Sequence, residues 1–191
     1  MNKEKLIVLG AGESGVGAAI LAKKQGFDVF LSDHNQINKE LQLLLENESI
    51  PWEAGSHSIK KMKGARLVIK SPGIPNDSNI IQTLTKSGSA IISEIEFASQ
   101  FTSATLIGIT GTNGKTTTTL LTYEILKDAG LNVGLAGNIG KSFALQVAQA
   151  DFEYYVLEIS SFQLDNIQDF APHISLITNI SSDHLDRYNY S

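Results

Sequence analysis

Two stretches of this chain follow one plan: a short apolar run, a glycine-rich turn, then a helix-like segment. The first is LIVLGAGESGVGAAILAKK from Leu6, and the second is LIGITGTNGKTTTTLLTYEIL from Leu106. Four or five apolar residues closed by glycine are too few for a buried helix and suit a strand covered on both faces. Repeated strand–turn–helix order implies βα units on a parallel sheet, and few folds accommodate it.

The rest of the chain extends the plan. Strands are expected at Leu6–Leu9, Val29–Ser32, Leu67–Ile69, Ala90–Ile92, Leu106–Ile109, Val133–Ala136, Tyr154–Ile159 and Ile174–Ile180. Helices are expected at Ser14–Gln25, Ile37–Asn47, Ser78–Lys86, Thr116–Ala129 and Phe143–Ala148. Each half opens with its own glycine turn, and no residue-level repeat joins them. The expectation is an α/β protein of two parallel-sheet domains, a Rossmann-like one over residues 1–93 and, over 94–191, the first part of a second one. EIEFASQFTS, between Glu94 and Ser103, reads as a short helix at the junction. The final SSDHLDRYNYS follows a strand directly, so the second domain is expected to be truncated here and to continue in a longer protein.

With 191 residues, 42% of them hydrophobic, each domain can bury a core. A formal net charge of −5 without any Lys/Arg cluster offers no attraction to nucleic acid or to an anionic membrane. The absence of cysteine rules out disulfides and thiolate metal sites. The apolar run after Lys5 is too short for a secretion signal, and no stretch reaches membrane-span length. A cytoplasmic, monomeric protein is expected, with neither nucleic acid nor membrane as partner.

The second turn nearly matches the phosphate-loop pattern G-x-x-x-x-G-K-[ST], but Ile109 stands where the entry glycine belongs. The physical parts are nonetheless present. Gly111, Thr112, Asn113 and Gly114 can turn tightly with inward N–H groups, and a helix N-terminus follows. Lys115 can reach terminal phosphates, Thr116 offers a hydroxyl to Mg²⁺, and Thr117 adds a further first-turn N–H. Three features share the same rim of strand ends: Asn138 in GNIG, Glu158 closing YYVLE, and Asp183-His184 after ISLITNI. Taken singly, they could be a helix cap, a solvated strand end and a structural histidine. Mg²⁺ prefers oxygen to imidazole, so His184 could serve a metal or the substrate.

TGTNGKTT, GNIG, LEISSFQL and DHLDRY, in this order, resemble the Mur ligases of peptidoglycan synthesis, over the whole chain and most strongly from Gly108 to Tyr188. That family's loop has the form T-G-T/S-N-G-K-S/T, which accounts for the displaced glycine. ISSFQL looks most like the members that add D-glutamate. Sister ligases and folylpolyglutamate synthases share the loop and the Asp-His but differ after the glutamate. The resemblance implies that residues 94–191 are the first part of a truncated P-loop ATP-binding domain, in an ATP-dependent, ADP-forming acid–amino-acid ligase that uses ATP and Mg²⁺. The terminal carboxylate of UDP-N-acetylmuramoyl-L-alanine would be phosphorylated, and the D-glutamate amine would displace phosphate. It further implies that Lys115 holds the γ-phosphate, and that Thr116 and Glu158 place a first Mg²⁺. Asn138 and His184 would orient the acyl carboxylate and serve a second metal, while Ser160, Ser161 and Gln163 line the substrate channel. A carbamylated lysine and an amino-acid-binding domain would lie beyond residue 191, so this piece alone is expected not to ligate.

The first turn, Gly10-Ala11-Gly12-Glu13-Ser14-Gly15 with Asp33 closing the next strand, reads by itself as a dinucleotide fingerprint and suggests an NAD-dependent dehydrogenase. The same geometry would hold the diphosphate of a UDP-sugar over Gly12, Glu13, Ser14 and Gly15, which is the ligand the resemblance implies. Asp33 and His34 would then lie near uracil or ribose, with Ser71, Pro72 and Gly73 on the same rim. The Glu13 carboxylate repels a diphosphate unless it turns to solvent. A non-catalytic nucleotide-binding module is a third reading.

Overall fold

The computed structural model describes residues 3–183. By their contacts these residues form two units, neither continuous in sequence. The first comprises 3–102, 141–151 and 162–170; the second comprises 103–140, 152–161 and 171–183.

The first unit holds β1 (Lys5–Leu9), α1 (Glu13–Lys24), β2 (Asp28–Ser32), α2 (Lys39–Asn47), β3 (Trp52–Glu53), α3 (Ile59–Met62), β4 (Leu67–Lys70), α4 (Asn79–Lys86), β5 (Ala90–Ile92) and α5 (Glu94–Ser99). Its sheet runs β3-β2-β1-β4-β5 and every pair is parallel. The central strand is buried on both faces: Leu6, Ile7, Val8 and Leu9 are fully inaccessible, as a strand under helices on either side requires. On one face Ile7, Leu9, Phe30 and Val68 pack with Met62, Ile81 and Leu84. Elsewhere in the unit α1 packs against α5 and against α7 (Phe143–Gln149). Contact between α1 and α7 is close enough to need glycine. A Cβ on Gly17 would come within 2.2 Å of the Ser142 Oγ.

The second unit holds β6 (Thr105–Thr110), α6 (Lys115–Asp128), β7 (Val133–Gly137), β8 (Tyr154–Glu158) and β9 (Ile174–Ile177). Between the last two strands the chain forms α8 (Ser161–Leu164), across which the division between units falls. The sheet order is β7-β8-β6-β9, again all parallel. Ile107, Ile109, Val133 and Val156 make its core, with Tyr123 and Leu126 of α6 against them. Leu121 and Ile125 of α6, and Ile174 and Ile177 of β9, remain exposed.

The expected α/β architecture with two parallel sheets is what the chain adopts, with three local differences. β3, α3 and α8 are two to four residues long and were not anticipated. The helix expected from Ile37 starts at Lys39, because the Asn38 carboxamide oxygen accepts the Glu40 N–H at 2.9 Å and caps it. The strand expected to reach Ile180 stops at Ile177, and the following residues bond to the loop at Thr112 and Asn113. The helix expected near Glu94 is present, and it is buried from Glu94 through Ala98.

Candidate functional site

β6 delivers the chain into the loop and α6 leads it out. Gly111 makes the turn at φ +134°, where a Cβ would lie 2.2 Å from the Thr178 Oγ1, so side chain and conformation both demand glycine. Gly114 caps α6 in the left-handed region with no side chain competing for the first N–H groups of the helix. Lys115 folds back over the turn, its Nζ donating to the carbonyls of Gly111 at 2.8 Å and Thr112 at 3.0 Å. Thr116 and Thr117 are exposed beside it.

A strap formed by residues 178–181 braces the loop. The Thr112 N–H donates to the Asn179 carbonyl at 3.0 Å, and the Asn113 N–H to Asn179 Oδ1 at 3.0 Å. In return Thr178 Oγ1 and Asn179 Nδ2 donate to the Asn113 carbonyl at 2.7 and 2.8 Å. Sequence reasoning missed these residues. Their signal is present in the polar residues of TNISS directly after apolar β9, although the run ISLITNI predicts strand as far as Ile180.

Glu158 ends β8, hydrogen-bonded in register beside Ile109 of β6 and Gly137 of β7. It is 1% exposed. Its Oε1 accepts the Asn138 Nδ2–H at 2.7 Å, and its backbone carbonyl accepts the Asn138 N–H at 2.8 Å. Oε2 is buried and has no hydrogen-bond partner among the described residues. A lone carboxylate oxygen without a donor is costly in a protein interior and is the kind of ligand a hard divalent cation takes. The donor set therefore fits Mg²⁺, with the Thr116 hydroxyl at the head of the neighbouring helix. Among the described residues no group of three His, Asp or Glu side chains converges on a metal. His184, expected to serve a metal and the substrate, lies outside the described residues.

In the first unit the other glycine turn links β1 to α1. Gly10 takes φ +96°, and a Cβ on Gly15 would sit 1.9 Å from the Gly10 carbonyl oxygen, so turn and helix can meet only with glycine there. Nothing lies within 4 Å of a Cβ placed on Gly12, which leaves the backbone open to a ligand. Gly12 caps α1 with no side-chain bond, so the first helical N–H groups are available. Glu13 is exposed, and Ser14 is half-buried beside it. Asp33 divides its oxygens between the turn and its own loop: Oδ2 accepts the Ala11 N–H at 2.6 Å and Oδ1 the Asn35 N–H at 2.7 Å. Ser71 donates its N–H to the Leu9 carbonyl beside Gly10, and its buried Oγ has no partner among the described residues. Pro72 is half-buried and Gly73 exposed.

Beyond these strand ends lies a cavity of about 570 Å³, with His34, His57, Gly73 and Ile74 in its wall. A polar chain runs behind it. Glu53 accepts the Ser58 N–H at 2.6 Å and a hydrogen bond from the Ser32 hydroxyl at 3.0 Å, and pairs with Lys61 Nζ at 3.0 Å. Burial works against its charge, but those donors together lower its pKa to about 2. The Ser32 Oγ also meets His57 Nδ1 at 2.8 Å. Burial, assisted by the nearby His34, pulls the His57 pKa below its ordinary 6.5, against the opposite pull of Asp33 and Glu53. Neither His57 nor Glu53 was singled out from the sequence.

Of the remaining expected residues, Ser160 is half-buried, Ser161 exposed and Gln163 buried. Gln163 lines a small cavity with Lys70, Glu94 and Asn166.

Comparison with known proteins accords with this architecture. Residues 4–93 match a family described as Mur ligase MurD-like, N-terminal domain, and residues 109–190 match the Mur ligase middle domain. UDP-N-acetylmuramoylalanine–D-glutamate ligase of Bacteroides fragilis is 57% identical over 187 residues, and that of Porphyromonas gingivalis 50% over 188. Each alignment takes in 98% of this chain, which spans only 42% of either relative's length. Among solved structures, the Neisseria meningitides ligase UDP-N-acetylmuramate:L-alanyl-gamma-D-glutamyl-meso-diaminopimelate ligase superposes with a TM-score of 0.64 at 22% identity, covering 98% of this chain and 64% of that one. UDP-N-acetylmuramate-alanine ligase of Thermotoga maritima gives 0.62 at 23% identity, covering 98% of this chain and 44% of its own. At such identities the likeness is one of fold.

Proposed function

The chain belongs to the Mur ligase family, and from that premise we propose that it carries the ATP-handling and UDP-sugar-handling parts of a peptidoglycan-synthesis ligase joining D-glutamate to UDP-N-acetylmuramoyl-L-alanine. The observation that carries the reading is the loop Gly111–Lys115 at the head of α6 with the partnerless Oε2 of Glu158 on the adjoining strand. A polyphosphate and its counter-ion need those two elements side by side.

The reaction would run in two displacements. A carboxylate oxygen of UDP-N-acetylmuramoyl-L-alanine bonds to the γ-phosphorus and ADP departs; the D-glutamate nitrogen then bonds to the acyl carbon, and phosphate departs with loss of a proton. Lys115, released from the Gly111 and Thr112 carbonyls, would donate to the transferred phosphoryl oxygens. The N–H groups of Lys115, Thr116 and Thr117 would hold the phosphates while the strap keeps the loop in its turn. Mg²⁺, held by Glu158 and Thr116, would neutralise phosphate charge. Asn138, gripped by Glu158 through side chain and backbone, would present its amide oxygen at a fixed place on the rim. In the first unit the open backbone at Gly12 and the free head of α1 would take the UDP diphosphate, with Glu13 turned to solvent.

Calorimetric titration tests both halves. An ATP analogue with Mg²⁺ and UDP-N-acetylmuramoyl-L-alanine should each bind the chain, and NADH should not. NADH binding with no response to the UDP-sugar would favour a dehydrogenase-like protein instead. In the full-length enzyme, phosphate release should respond to D-glutamate above other amino acids.

A further inference from the structure

Hydroxyl and carboxylate chemistry fixes the protons of the polar chain behind the cavity. Glu53, held ionised, can only accept. Ser32 is wholly buried and has one proton to give, and an anion is its strongest acceptor, so the hydroxyl donates to Glu53 Oε1. The Ser32 oxygen must then receive the hydrogen of its other close neighbour, which makes His57 Nδ1 the donor across 2.8 Å. This is not the order of a nucleophilic triad, where the imidazole takes the serine proton. Its outcome is a tautomer: Nδ1 carries the hydrogen and Nε2 is a bare acceptor. Nε2 has no partner among the described residues, and the ring stands in the cavity wall.

The cavity limits what can meet that acceptor. Ile59, Ile74, Pro75 and Ile80 give it apolar sides, suited to the faces of a flat ring, and His34 lies 6.0 Å from His57, centroid to centroid. It opens beside the ends of β2 and β4, next to the turn that would take a diphosphate. An acceptor at a ring's edge there asks for a ring N–H.

Resting on the UDP-sugar reading above, we propose that His57 selects uracil in this cavity: its Nε2, stripped of hydrogen by the Glu53–Ser32–Nδ1 chain, accepts the N3–H of the base. Cytosine has a lone pair at N3 and meets acceptor with acceptor. Ser32 is then a positioning residue that sets the tautomer without touching the ligand.

The test is calorimetry on the 191-residue chain with UDP, CDP and N3-methyl-UDP, all near neutral pH. UDP should bind about tenfold more tightly than either of the others, one hydrogen bond and one clash apart. In His57→Phe that preference should fall to about twofold or less, mostly through loss of UDP affinity. Ser32→Ala keeps the ring but frees the tautomer, and should shrink the preference while circular dichroism and the melting temperature report an intact fold. A purely structural role for His57 would weaken all three ligands together and leave the ratios unchanged, which overturns the proposal. So would equal binding of UDP and CDP to the unaltered chain, although the UDP-sugar reading would survive. Absence of UDP binding altogether would remove that reading and this one with it.

Discussion

Glu158 joins two duties in one side chain, since one oxygen holds Asn138 and the other faces no donor. Replacing it with Gln keeps the shape and removes the charge. The expected result is an ATP analogue whose affinity no longer rises when Mg²⁺ is added, read by titration with and without the metal. Lys115→Ala should weaken the same analogue by about 2 kcal/mol, the worth of hydrogen bonds to a charged group, and abolish turnover in the full-length enzyme. Retained affinity would displace Lys115 from the phosphates. Carboxylates also set the acid limit of stability. For Glu96, burial raises the pKa, but the N–H groups of Gln168, Phe170 and Asp169 outweigh it and the net shift is downward, as it is for Glu53. A lowered folded-state value stabilises the protein above the ordinary 4.5, and that stability is lost as pH falls below it, for Glu53 towards about 2. The melting temperature of Glu96→Gln should therefore fall less steeply than that of the original as pH drops below 4.5. Lys115, Asn138 and Glu158 could be singled out as candidates from the sequence, because they lie beside the carboxyl ends of strands, where an α/β sheet takes its ligands. Glu53 and His57 could not. Their meaning arises from Ser32, more than twenty residues earlier in the chain.

Helices here depend on partners remote in sequence. The N-terminus of α7 is tied to Glu94, whose Oε1 accepts the Ser142 hydroxyl at 2.8 Å and the Ala144 N–H at 2.6 Å. Burial pushes the Glu94 pKa up against those bonds. The sign is opposite to that of Glu96: protonation of Glu94 is favoured by folding, and its stabilisation fades as pH rises through the raised value. Glu94→Gln keeps an acceptor and sheds a buried charge, so its melting temperature near pH 7 should match or exceed the original. Glu94→Ala strands two donors and should cost about 2 kcal/mol. Gly15→Ala forces a Cβ against the Gly10 carbonyl and should cost about 3 kcal/mol by denaturant titration, with UDP-sugar binding lost alongside. The longer elements were legible because period and punctuation agree over many residues: β1, α1, β6 and α6 each fall within a residue or so of expectation. β3 and α8 were not, since two to four residues hold too little pattern. The end of β9 was hidden for another reason. ISLITNI remains strand-like past Ile177, whereas Thr178 and Asn179 bond instead to Asn113, some sixty-five residues away.

At the scale of the molecule, residues 1–93 do not contain everything that buries the first sheet. α5 and α7 both pack on α1, and α7 arrives from beyond residue 140. A polypeptide of residues 1–93 is expected to bind a hydrophobic dye and to melt well below the 191-residue chain. Equal melting temperatures would show that α1 needs no such cover. The cap from Glu94 to Ser142 also bears on synthesis. A ribosome releases the first sheet long before the helix that seals it. At roughly 5–20 residues per second, the interval from residue 102 to residue 149, the end of α7, lasts roughly 2 to 9 seconds. Through that time the Gly17 side of α1 has no lid, and the nascent chain offers chaperones a bare apolar ledge at its very beginning.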